Sequence, residues 1–177
     1  MQRVISILPI ILSGFYFQFC HFGEQVELNM KGNLSIPEGY VDLGLPSGTL
    51  WKQNNETKTY SYYYAIKYFD GFLPTSGQFQ ELINYCVWEW TANGCKVTGK
   101  NGESIFLSAD FTSEQVGVPA RYWSSTKDPT QNDCCFGLLF GVDAYGTVYS
   151  KVDRTCGLDN TNEVTNQKRS VILCKNK

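Results

Sequence analysis

The sequence is poor in histidine. Its 177 residues contain one, His21, and that one lies within the first 23 residues. A Ser-His-Asp triad, a Cys-His dyad and a His-ligated zinc site each need a histidine inside the folded domain, so these chemistries are excluded. Charge is also scarce. Charged residues make up 18% of the chain, against roughly 25% in ordinary soluble domains. A basic excess is lacking: the formal net charge is -2. Without clustered cations there is little to displace counterions from a phosphate backbone, and nucleic acid is not an expected partner. Internal repeats and low-complexity tracts are absent.

Aromatic residues, by contrast, are plentiful at 15%, within an apolar fraction of 42%. That is enough for a core and excludes disorder over the whole chain. The length suits one domain. Residues 1–23 read as a secretory or targeting segment: Arg3 supplies the charge, and Val4 to Phe19 is an apolar run without a charged residue. At about 16 residues the run is shorter than the ~20 needed to span a bilayer. Cys20 opens an alternative, an acylated lipoprotein cysteine, although Phe17-Gln18-Phe19 lacks the small residue expected before it. Residues 24–38 read as a linker and 39–177 as the domain. The expected location is exported: cell surface, periplasm or extracellular space. Contact with the membrane is expected only through the leader or a lipid anchor. Export would make the six cysteines beyond Cys20 disulfide candidates.

Within the domain, Gly39 to Leu45 and Thr49 to Trp51 flank Pro46-Ser47-Gly48, a strand-turn-strand signal. Residues 59–69 are dense in tyrosine, which fits a sugar-stacking platform or, better, the edge of a core. Residues 75–86 predict the one main helix. Phe79, Leu82, Ile83 and Cys86 recur at helical spacing, and Thr75 with Gln78 has capping-box spacing. Beyond it, Cys95–Thr98 and Ser104–Leu107 flank an Asn101-Gly102 hairpin signal. Residues 121–126 predict a strand, 134–142 and 146–152 a second hairpin around Asp143-Ala144-Tyr145, and 170–174 a final strand. The fold class is therefore α+β, with mostly short antiparallel strands.

Several of these segments together resemble a known family. Tyr40-Val41-Asp42-Leu43-Gly44-Leu45-Pro46-Ser47-Gly48-Thr49-Leu50-Trp51 resembles the opening signature of the Fibrobacter succinogenes major paralogous domain (FISUMP) family. Leu73-Pro74-Thr75 with Phe79-Gln80-Glu81-Leu82, Lys96 to Gly102 with Ser104 to Leu107, Tyr122 to Thr126, and Arg169-Ser170-Val171 resemble its later blocks in the same order. The chain departs from the family at Ile172-Leu173-Cys174 and in the shortness of residues 52–70. The resemblance implies a single C-type-lectin-like domain whose chain ends lie together. It also implies an exported, non-catalytic binding or adhesion module with a glycan or protein ligand. In that superfold the helix and last strand are neighbours, which implies a Cys86–Cys174 disulfide; two buried free thiols are the alternative.

A Cys135–Cys156 disulfide would tie the loop after the second hairpin. The neighbours Cys134 and Cys135 should point to opposite strand faces, so at most one is expected to face the core. The ligand-binding candidates are Tyr145 at a hairpin tip and Arg154, Asn160 and Asn162 in the loop that follows, because loops on a rigid sheet carry recognition. Asp153, Asp159, Asn160, Asn162 and Glu163 have the oxygen chemistry calcium prefers, but they read better as a solvated loop. Neither a metal nor another cofactor is expected. Two other functions remain open. One is a structural envelope protein without a ligand pocket. The other is a cysteine-dependent oxidase of the formylglycine-generating type, which would use Cys134, Cys135 or Cys156.

Overall fold

A computed structural model describes residues 36–109, 118–158 and 168–177. The expected leader, most of the linker and the loop bearing Asn160 and Asn162 fall outside these residues. Among these residues, nine strands form three small antiparallel sheets, joined by two helices. β1 (Tyr40–Asp42), β2 (Leu50–Lys52) and β9 (Cys174–Lys175) make the first sheet. The first and last strands of the described domain thus share a sheet, and the Lys177 ammonium pairs with Asp42.

α2 (Ser76–Tyr85) is built as its sequence dictates. The Thr75 hydroxyl accepts from the Gln78 N–H at 3.2 Å, and the Gln78 side chain accepts from the Thr75 N–H at 2.8 Å. Two orphan donors are thereby satisfied. Phe79 and Leu82 point inward and are fully buried. Cys86 is already extended and leads straight into β3 (Val87–Thr91). Trp88 and Trp90 share one face of β3 and pack on Phe140.

β3 pairs with β4 (Gly94–Thr98), and β4 with β5 (Ser104–Ser108). Cys95, Val97, Ile105 and Leu107 alternate with outward residues and fill the inner face. Gly99, just after β4, has a packing reason: a Cβ there would stand 2.1 Å from the Leu43 carbonyl oxygen. Only glycine lets the β1 loop lie this close to the hairpin.

The largest sheet holds β6 (Ala120–Lys127), β7 (Cys135–Val142) and β8 (Val148–Thr155). Neighbours on β6 serve two cores. Tyr122 joins the main cluster with Trp51, Phe79, Leu82 and Phe140. Trp123 joins a second cluster with Tyr62, Ala65, Leu73, Cys135 and Val171.

Three expectations change. A second helix is present, α1 (Tyr62–Tyr68), capped by Ser61. Tyr62 and Ala65 are its buried positions, while Tyr64 and Tyr68 stack outside at 5.3 Å. Tyrosine at nearly every position hid the helical period. The final strand is also shorter than expected. Residues 169–173 are tied piecewise to Tyr60, Tyr122, Glu56 and Lys52 rather than to one partner strand. Finally, Cys134 and Cys135 are both fully buried, in different surroundings.

Candidate functional site

The start of β6, the end of β8 and residues 168–170 enclose an open groove of about 590 Å³. Antiparallel pairing brings its walls together: Gly137 of β7 lies opposite Asp153 of β8 and Trp123 of β6. Among the described residues, four cationic side chains line it, Arg121, Arg154, Lys168 and Arg169, with one carboxylate, Asp153.

Each charge has its own setting. Asp153 accepts from Arg121 at 2.9 Å and Lys151 at 3.0 Å. Burial opposes its charge, but these donors win and hold the carboxyl below its usual value. Asp128 accepts from the Thr130 hydroxyl and N–H and from Arg154, which pulls its carboxyl down to about 2. The Arg154 guanidinium also donates to Gln131, so it clamps the turn before β7. Arg169 differs. It is only 8% exposed, and its guanidinium lies 4.2 Å from the Trp123 ring centre. Burial, with Arg121 nearby, pushes it down to about 10, still charged at neutral pH. Glycine at 137 makes room: a Cβ there would meet the Tyr122 carbonyl oxygen at 2.4 Å and Arg169 at 3.7 Å. On the same wall the Thr155 hydroxyl is buried without a hydrogen-bond partner, a state that costs about 1–3 kcal/mol.

Cys134 and Cys156 form a disulfide with a Cα–Cα distance of 4.1 Å. This corrects the expected Cys135–Cys156 bridge. Cys135 opposes Thr155 as the last pair of β7 and β8, so the next opposed positions are Cys134 and Cys156. The one-residue error follows from strand alternation: Cys135 turns into the second cluster instead. The symmetry of the hairpin about Tyr145 was the signal that could have found this pair. Cys86 and Cys174 are not bridged either. Cys86 is half-buried at the end of α2, and Cys174 is buried on β9 with its thiol 3.6 Å from the Gln78 side-chain oxygen.

Of the ligand candidates, Arg154 lines the groove and Tyr145 does not. Tyr145 is 93% exposed at the far tip of the hairpin, separated from Arg154 by about 20 Å of strand. Asn160 and Asn162 lie outside the described residues, as do Asp159 and Glu163. The remaining calcium candidate, Asp153, is occupied by two cations. Among the described residues, no group of three or more His, Cys, Asp or Glu is placed to hold a metal. Sequence reading missed Arg121, Arg169 and Thr155 as groove residues, because only the fold draws these positions together.

Burial raises the four free thiols among the described residues: Cys86 and Cys135 to about 11, Cys95 and Cys174 to about 12. In the unfolded chain they ionise near 8.5. The protonated form is thus favoured by folding. The stability this gives is complete below about pH 8.5 and is lost as pH rises toward 11–12. Urea midpoints should hold from pH 7 to 8.5 and fall steadily from pH 9 to 11. A flat profile over that range would mean the thiols are not buried.

No known family matches the chain, and neither curated proteins nor solved structures give a match.

Proposed function

We propose that the chain is an exported bacterial cell-surface or periplasmic module that binds a glycan or protein without catalysis, on a C-type-lectin-like domain. The observation that carries this reading is the groove, a concave, largely polar site at the ends of two strands of the largest sheet. Its size is within the roughly 300–1,000 Å³ range of ligand sites. The disulfide is compatible with an oxidising, exported compartment. The shared sheet of β1 and β9 accords with the chain-end arrangement that the FISUMP resemblance implies. The thiols speak against the oxidase. A reactive cysteine needs a lowered pKa and access, whereas Cys135 is buried and raised, and Cys134 and Cys156 are bonded to each other.

Two measurements test the proposal. Intact mass of the protein from its native cells should show loss of about 23 N-terminal residues, the length of a signal segment, and a gain of two hydrogens on reduction. The oxidised protein should then show saturable binding on arrays of glycans and surface proteins. A full-length mass would sink the export reading. Silence on every array would favour the structural envelope role instead.

A further inference from the structure

The groove is asymmetric in charge, and its cations are not equally engaged. Arg121 is held by Asp153 and Arg154 by Asp128. Among the described residues, Arg169 makes no salt bridge: it lies over the Trp123 face, Arg121 repels it, and the carboxylate that attracts it, Asp153, is in contact with Arg121 and Lys151 instead. A guanidinium more than nine-tenths buried without a carboxylate in direct contact is costly unless something completes it. Arg169 itself lines the groove, together with Arg121 and Asp153. A second group on the same wall, the Thr155 hydroxyl, is also buried without a partner. A buried arginine on a groove wall without a carboxylate in contact points to an anionic group that completes it.

We propose that this groove binds an acidic sugar, with the carboxylate of a uronic acid unit held by Arg169 and Arg121. The inference rests on the binding-module reading and names its ligand class. A guanidinium presents a planar fork that matches a carboxylate. Asp153 selects the rest of the ligand. Its oxygens have acceptor capacity beyond the two cations they hold, so they suit a ligand that also brings hydroxyl donors. A uronic acid carries both an acid and hydroxyls on one ring. An acidic peptide would place further carboxylates against Asp153, which like-charge repulsion disfavours.

The test uses the oxidised protein and three probes in calorimetry: a trigalacturonate, its methyl ester, and a glutamate-rich peptide. The trigalacturonate should bind. Its ester, of the same shape without the charge, should bind at least roughly tenfold more weakly, the scale of one charge-assisted contact. Binding of the acid should fall as salt rises. Arg169→Gln should abolish it. Because Arg169 is buried and its removal endangers the fold, Arg121→Gln, at a part-exposed side chain, serves as the second variant and should weaken binding several-fold. Lys96→Gln, on β4, should leave it unchanged. Equal binding of acid and ester, or tighter binding of the peptide, would overturn the assignment. So would an array ligand whose affinity survives both arginine substitutions, although the module reading would then stand. Absence of any ligand on the arrays would remove both.

Discussion

Replacing Trp123 with alanine should cost about 3–5 kcal/mol, the range for deleting a large buried aromatic. The side chain is fully buried and is the largest in the second cluster. Its indole N–H donates to the Tyr60 carbonyl at 2.7 Å, which fixes the entry to α1. The Tyr62 ring meets it edge-on at 5.3 Å, and Arg169 lies over its face. Alanine would leave a cavity, remove one of the two donors to the Tyr60 carbonyl, which keeps the Arg169 N–H, and strip Arg169 of its aromatic support. A domain of this kind has a total stability of about 5–15 kcal/mol, so the loss is a large fraction of the whole. Chemical denaturation decides the matter, with Tyr145→Ala as comparison. That ring is 93% exposed, and its removal should move stability by no more than about 0.5 kcal/mol. A Trp123→Ala cost below about 1.5 kcal/mol, under the usual range for such a deletion, would show that the second cluster is not a core. Trp123→Phe should recover part of the loss but not the hydrogen bond.

Where local chemistry decides the structure, the sequence was readable. The Thr75–Gln78 capping box, the Asn101-Gly102 turn and the alternation of Cys95, Val97, Ile105 and Leu107 each specify their element from neighbours in the chain. Where distant segments decide it, the sequence was silent. α1 is a run of tyrosines whose buried side is chosen by Trp123, more than fifty residues away. Residues 170–174 look like a strand because Val171 to Cys174 are apolar, yet residues 169–173 are tied in turn to Tyr60, Tyr122, Glu56 and Lys52 rather than paired along one strand. The groove is of the same kind. Arg154 could be suspected from its position near a loop, but Arg121 and Arg169 become a pair only when β6 and the closing segment lie side by side at the Tyr122–Ser170 bridge. That Tyr145 lies apart from the groove was hidden for a related reason. Exposure at a hairpin tip was visible in the sequence; its distance from the groove was not, because a strand carries the two ends of a hairpin far apart.

Breaking the Cys134–Cys156 bond by a Cys134→Ser, Cys156→Ser double substitution should lower stability by about 2–4 kcal/mol, since the bridge closes a loop of moderate length. The enclosed chain is the β7–β8 hairpin, with a sequence separation of 22. Its register is already set by eight opposed pairs, from Val142–Val148 to Cys135–Thr155. The bond acts one step past the last of these, at the open end where a hairpin frays. The same end holds the Arg154 clamp on Asp128 and Gln131 and the groove wall at Thr155. Its loss should therefore loosen residues 128–134 and 154–158 well before the sheet melts, visible as faster amide exchange there than at Leu138 or Phe140. Single substitutions test the register itself. Cys135→Ala should keep the bridge, so that the protein still gains two hydrogens on reduction. Cys134→Ala should abolish that gain. If Cys135→Ala abolished it instead, Cys135 would be the partner of Cys156, and the strand would have to sit one residue out of register, which would turn Leu138 and Phe140 away from the core they fill.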